Sequence, residues 1–243
     1  MTSSGPGVRI NRYLALCGLG ARREAEELVR AGRVAVNGSP LADLAYRVRE
    51  GDRVQVDGKA VKPRKQFRYI LYYKQPGVLT TTRDPHQRRI LINELPKQLR
   101  DLKPVGRLDA DTEGLIILTD DGGFAQRVAH PSYNIPKRYY VEVAGRVTRG
   151  DAKELERGVS LLDGHIGRCH VNAVDTGLGE SRVILTVSYG RKRMIRQMFA
   201  SLGYKVKLLR RVAIGSVELG TLAPGEWREL TAEEVAALAG GDR

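Results

Sequence analysis

The chain is poor in residues that staple, ligate or anchor. It has two cysteines, Cys17 and Cys169, in 243 residues, too few for a disulfide framework in a chain this long. Both are read as reduced, semi-buried thiols, which points to a cytoplasmic protein. Its four histidines, His86, His130, His165 and His170, have no metal-ligand spacing among themselves. No apolar run approaches the ~20 residues of a membrane-spanning helix, so no membrane partner is expected. Residues 1–7 lack the basic start and apolar stretch of a signal peptide. There is no phosphate-cradling Gly-x-x-x-x-Gly-Lys loop, and Gly18-Leu-Gly20 and Gly177-Leu-Gly179 lack a dinucleotide-binding context. Neither a metal nor an organic cofactor is expected.

Negative charge is also scarce. Lys and Arg number 41 against 28 Asp and Glu, a formal charge of +13. A surplus of that size favours an anionic partner, most commonly nucleic acid.

What is present divides into two parts. Ile10, Tyr13, Leu14 and Cys17 recur at helical spacing. Gly18 and Gly20 break that helix, and a second follows over 22–31 with Ala25, Leu28 and Val29 inward and Gly32 as its cap. Residues 33–36 alternate as a strand into Asn37-Gly38, a hairpin signal. Residues 54–61 repeat the strand, turn, strand pattern around Asp57-Gly58. Residues 8–62 are therefore expected to form one small αβ unit, 63–67 a basic linker, and 68–238 a larger domain, with 1–7 and 239–243 as disordered ends. In the larger part, strands are predicted at 69–73, 115–118, 139–143, 171–174, 183–187 and 206–209. Helices are predicted at 123–129, 151–157 and 194–202, and from Thr231, where Thr231 and Glu234 have capping-box spacing. Without a βαβαβ rhythm this is α+β with a largely antiparallel sheet.

Three groups of residues carry chemistry. Arg9, Arg12, Arg22, Arg23, Arg30 and Arg33 could present one face to phosphates, or simply a solvated helix face. Residues 190–211 hold eight basic residues and no acidic one, Arg191, Lys192, Arg193 and Arg196 among them. Met194, Ile195, Met198 and Phe199 interleave at helical spacing, so one face of that helix is core and the other suits an RNA groove. The acidic segment 109–121 admits three readings. Asp109, Asp111, Glu113 and Asp120 fall at positions 1, 3, 5 and 12 of a calcium loop, but position 12 should be Glu and the run Leu115-Ile-Ile-Leu118 wants to be strand. A structural turn with solvated carboxylates is the plain alternative. The third reading is a nucleophile: Asp109, near Arg107 and ahead of a buried strand, would be held ionised.

Two resemblances then become visible. Helix, Gly break, Arg-rich helix and the strand Arg30-Ala-Gly-Arg33-Val-Ala-Val-Asn37-Gly38 resemble the RNA-binding domain of small-subunit ribosomal protein four. Gly106-Arg-Leu-Asp-Ala-Asp-Thr-Glu-Gly-Leu-Ile-Ile-Leu-Thr-Asp-Asp-Gly122 resembles the signature of the RsuA/RluB family of ribosomal RNA pseudouridine synthases. Three other segments agree: Lys74-Gln-Pro-Gly77 (Gln75 departs from the pattern), the element from His130 to Tyr139, and Gly190-Arg-Lys-Arg-Met-Ile-Arg196-Gln-Met198. The loop 80–93 looks more like the large-subunit branch. The resemblance implies a pseudouridine synthase domain, with Asp109 as nucleophile, Tyr139 packed on the target base (Tyr140 being adjacent), Arg196 paired with Asp109, and Leu209 walling a base pocket that Arg107 adjoins. It implies a flipped-out uridine stacked on an aromatic ring, and leaves open whether C1′ or C6 is attacked. The expected partner is ribosomal RNA, of the large or the small subunit, or a pre-ribosomal particle, bound by a monomer. The competing reading is a non-catalytic ribosome-assembly factor that kept the fold.

Overall fold

The computed structural model describes residues 7–20, 22–64, 66–81, 86 and 88–240. The chain divides between Phe67 and Arg68 into two compact units. Residues 1–6 and 241–243, and part of the loop 80–93, lie outside the described residues.

In the first unit, β1 (Val8–Arg9) runs into α1 (Ile10–Leu16), and α2 (Arg22–Arg30) follows the glycine break. Then come β2 (Val34–Val36), β3 (Ser39–Pro40), β4 (Arg47–Val48), β5 (Val54–Val56) and β6 (Lys59–Ala60). Strands order β3-β2-β5-β6 in one antiparallel sheet, and β1 pairs with β4. Both hairpin tips have two consecutive residues at positive φ, Asn37 (53°) with Gly38 (83°) and Asp57 (49°) with Gly58 (75°). That matches the twist of tight hairpins and explains the choice of Asn-Gly and Asp-Gly. Ile10, Leu14, Ala25 and Val29 of the helices pack on Val34, Val36, Val54 and Val56 of the sheet.

In the second unit the order is β7 (Tyr69–Lys74), α3 (Leu91–Glu94), β8 (Lys103–Pro104), β9 (Glu113–Thr119), α4 (Gly122–Ala129), β10 (Lys137–Ala144), α5 (Arg149–Arg157), β11 (Val159–Ser160), β12 (Ile166–Gly167), β13 (His170–Thr176), β14 (Glu180–Val187), α6 (Met194–Ser201), β15 (Lys205–Ile214), β16 (Val217–Glu218), β17 (Trp227–Glu229) and α7 (Ala232–Ala239). The main sheet runs β13-β14-β10-β15-β9-β7-β17, with β16 beside β15 and β8 beside β9. The β9–β15 pairing is parallel, through Arg210 opposite Glu113 and Arg211 opposite Gly114; the other ladders of this sheet are antiparallel. The fold is α+β with a largely antiparallel sheet.

β7 and β9 are covered on both faces, which is why they read as continuous apolar runs. Leu71, Leu115 and Ile117 pack under Phe124, Val128 and Leu238, while Ile70, Tyr72, Ile116 and Leu118 pack on Leu91, Leu99 and Leu102. Across the sheet, Met198 and Phe199 of α6 close a third core with Val141, Val183 and Leu185. Each of the six strands predicted in this unit is longer in the structure, most of all β15, which spans 205–214. Hydropathy stops β15 at Leu209 because Arg210 and Arg211 follow. In the fold both continue the ladder, Arg210 paired to Glu113 and Arg211 bonded to the Leu115 carbonyl.

Candidate active site

The segment 106–112 is tied down before β9 begins. Gly106 turns the chain at φ 70°, and Thr112 N–H donates to the Asp109 carbonyl at 3.1 Å. From β7 and the loop after it, Gly77 N–H reaches the Ala110 carbonyl at 2.7 Å, and the Thr80 hydroxyl donates to the Leu108 carbonyl at 2.9 Å. Lys74, with no exposed surface, gives its ammonium to the carbonyls of Thr112 (2.8 Å), Gln75 (3.0 Å) and Ala110 (3.3 Å). Burial, against the pull of Asp111, Asp109 and Glu113, brings that ammonium down to about 8. Gly114 must be glycine: at φ 99° it passes so close to β15 that a Cβ would stand 2.4 Å from the Arg211 carbonyl.

Asp109 is half-buried and lines a cavity of ≈ 750 Å³. Its carboxylate has no hydrogen-bond or ion-pair partner among the described residues. Tyr139 and Leu209 line the same cavity, as do Arg107, Arg191, Lys192 and Arg193. The last four are exposed and set the mouth. Tyr140, one position on and so on the other face of β10, is away from that lining and hydrogen-bonds to Glu142 at 2.6 Å. Two further cationic residues line the cavity, Lys137 from the element that runs from His130 to Tyr139 and Arg211 from the basic stretch 190–211.

The expected Asp109–Arg196 pair is not the one formed. Arg196 faces Asp111: Nη2 donates to the Asp111 carbonyl at 2.8 Å, and Nε lies 3.2 Å from the carboxylate, an ion-pair distance without hydrogen-bonding alignment. Arg193 forks onto the same carboxylate at 2.9 and 3.1 Å, from a left-handed backbone (φ 53°) that starts α6. The turn after Asp109 sends Asp111 toward α6, so Asp111 captures both guanidinium groups. Burial raises the Asp111 carboxyl, but the Arg193 hydrogen bond and the two positive charges outweigh it and hold it below its ordinary value. Asp109 acts on Arg196 through charge at longer range. The calcium spacing also dissolves here. Glu113 goes to Arg210 at 2.6 Å and Asp120, seven positions on, accepts from the Arg68 N–H at 2.8 Å, so the carboxylates diverge.

A sequence model of the family described as RNA pseudouridylate synthase matches residues 68–201, more than half of the 243-residue chain. The chain belongs to this family. Members isomerise uridine in RNA to pseudouridine, and the chain is an enzyme of that class. Its N-terminal residues 8–54 match the S4 domain. An uncharacterised RNA pseudouridine synthase of Aquifex aeolicus is 42% identical over 95% of this chain and 93% of its own. Ribosomal large subunit pseudouridine synthase B of Bacillus subtilis is 35% identical over 95% of each. Among solved structures, a crystal structure of a pseudouridylate synthase superposes with a TM-score of 0.69 and 28% identity, covering 96% of this chain and all of the other.

In the S4 domain, Arg9, Arg12, Arg22, Arg23, Arg30 and Arg33 are exposed. They are not equally free. Arg33 forks onto Asp57 through Nε at 2.9 Å and Nη2 at 2.5 Å, Arg30 lies 3.5 Å from Glu26, and Arg22 reaches Asn11 at 3.4 Å. In the synthase domain, Lys137 was within reach of sequence: it sits two residues before Tyr139 on a strand, hence on the same face. Asp111 as the arginine holder carried no such signal.

Proposed function

We propose that this enzyme modifies ribosomal RNA, of the large subunit, with Asp109 as the nucleophile. It acts as a monomer in the cytoplasm, on free ribosomal RNA or on an assembling particle. The observation that carries the reading is the Asp109 carboxylate, unpaired among the described residues, on the wall of a cavity whose mouth is cationic and whose side wall holds Tyr139. The large-subunit assignment is supported by the Bacillus subtilis relative, which covers nearly all of both chains.

Phosphates flanking the target would rest on Arg191, Lys192 and Arg193 while the uridine swings into the cavity. Tyr139 offers its ring as a stacking face and Leu209 closes the wall. Asp109 then adds to the nucleoside, at C1′ or at C6. The N1–C1′ bond breaks with its electron pair going to the base, the base turns, C5 bonds to C1′, the bond to Asp109 breaks to restore its carboxylate, and the C5 proton leaves while N1 takes one up. Arg196, held on Asp111, places a positive charge near Asp109 without bonding it, which leaves the oxygens of the nucleophile open.

The test is tritium release from unmodified ribosomal RNA labelled at uridine C5, wild type against Asp109→Asn. Release by the wild type and loss in the mutant, with RNA binding kept, is the expected result. Release by both would remove Asp109 from the role. Release by neither, on free RNA and on precursor particles, would favour a binding factor.

A further inference from the structure

The cavity wall built by β10 and β15 carries two cations to which the reaction above gives no task. Lys137 and Tyr139 are two residues apart on β10, and Arg211 is the ladder partner of Tyr139 on β15. The three therefore share one face of the sheet and line one cavity with Asp109. Arg211 is 3% exposed. Its Nε donates to the Leu115 carbonyl at 2.8 Å, but its Nη2 is buried without a hydrogen-bond partner. Lys137 Nζ donates to the Ile135 carbonyl at 2.9 Å. Among the described residues no carboxylate pairs with either. Burial, and then the charge of Arg211, bring the Lys137 ammonium down to about 8. Two mutually repelling cations with a buried donor to spare form a costly arrangement, and an anion placed between them relieves it.

We propose that Lys137 and Arg211 form an oxyanion subsite that takes up the negative charge gathering on a ring oxygen of the target uracil. This rests on the uridine reading above. Both routes of attack create such an oxygen. Addition of Asp109 to C6 drives the C5–C6 electron pair toward O4. Departure of the base from C1′ leaves the N1–C1′ pair on the uracil, where it spreads to O2 and O4 while Asp109 bonds to C1′. In either case the charge is discharged as C5 bonds to C1′, the bond to Asp109 breaks to restore its carboxylate, the C5 proton leaves and N1 takes one up. Fixed donors aimed at a developing oxyanion in a partly dry cavity stabilise it without reorganising. Phosphates share this chemistry, but they stay with the RNA backbone at the mouth, where Arg191, Lys192 and Arg193 are exposed. The depth of Arg211 places it with the base.

The probe is free 5-nitrouracil, whose ring is an anion at neutral pH and which absorbs in the near ultraviolet. Full-length wild type, Lys137→Met and Lys137→Arg are titrated with it, and with inorganic phosphate alongside. The expected result is binding by the wild type, weakened about tenfold or more by Lys137→Met, largely restored in Lys137→Arg, and little displaced by phosphate. Equal affinity in wild type and Lys137→Met, or no binding by the wild type, overturns the proposal. Phosphate binding that depends on Lys137 and displaces the base overturns the ring assignment in favour of a backbone phosphate. Circular dichroism of each variant excludes unfolding as the cause. The readout needs no turnover, so it is separable from failure of the tritium assay.

Discussion

Asp111 holds Arg196 by two different groups, its carboxylate 3.2 Å from Nε and its main-chain carbonyl 2.8 Å from Nη2. The second contact survives loss of the side chain; the first does not. Asp111→Ala is therefore expected to leave Arg196 tethered but misaimed, and Arg193 released. The carboxylate is half exposed, so the stability cost should stay within ~1 kcal/mol. Misplacing a charge near the nucleophile is more serious, and we expect single-turnover conversion to fall by about tenfold or more with little change in RNA affinity. Because the Asp111 carboxyl lies below its ordinary value, the clamp is complete above the unfolded carboxyl range and is lost as pH falls through the lowered one. An unchanged rate in Asp111→Ala would show that the clamp is only structural.

The arginines of the S4 domain should separate into two classes. Arg12 and Arg23 are exposed, and each substitution to Ala should weaken RNA binding several-fold while reducing the slope of log affinity against log salt by roughly one. Arg33 is already matched by Asp57, so Arg33→Ala should move neither quantity much. Fluorescence titrations at several salt concentrations measure both, and a large loss on Arg33→Ala would show that RNA displaces Asp57.

Gly114→Ala tests the close approach of β9 and β15. The added methyl would meet the Arg211 carbonyl at 2.4 Å and the Arg210 side chain at 2.9 Å, from a backbone at φ 99°. We expect a loss on the order of 3 kcal/mol in urea unfolding, along with loss of activity. A loss below ~1 kcal/mol would mean that the strands separate at little cost.

Lys74 gives a pH-dependent stability of defined sign. Its folded ammonium sits at about 8, down from 10.5, so between those values the unfolded chain binds more protons and stability rises with pH. Lys74→Met removes that slope and leaves three carbonyls without their donor. The variant should be less stable at pH 7.5, and the gap from wild type should widen by on the order of 1–2 kcal/mol by pH 9.5. The same lowering at Lys137, and the raised tyrosines, are common to both proteins and cancel in the difference. A gap that narrows with pH would contradict the burial argument.

Local chemistry was legible where it is dictated by neighbours in sequence. Asn37-Gly38 and Asp57-Gly58 require positive φ and have it, and Thr231 and Glu234 form the reciprocal cap their spacing announces. The segment around Asp109 was legible because its residue types form one long pattern. What escaped was the long-range pairing of charge. Arg210 and Arg211 look like the end of a strand until Glu113 and the Leu115 carbonyl are brought beside them. The partner of Arg196 depended on which of two aspartates the turn aims at α6. Lys74 looks like a surface residue until the loop carbonyls close over it.

The two-pair parallel ladder between β9 and β15 also sets a timetable. Glu113 and Arg210 are 97 residues apart, so the two halves of the sheet meet only after a long loop has closed, a slow event for any chain. A chain growing from its N-terminus has Asp109 long before it has Arg211. The S4 domain can form while synthesis continues, but the wall opposite Asp109 arrives with the last long strand. Chains stalled before residue 205 should remain protease-sensitive around 106–114, and chains stalled well past 214 should not. The nascent enzyme would then hold a finished RNA-binding domain before it holds a working cavity, and would meet its substrate first as a binder and only later as a catalyst.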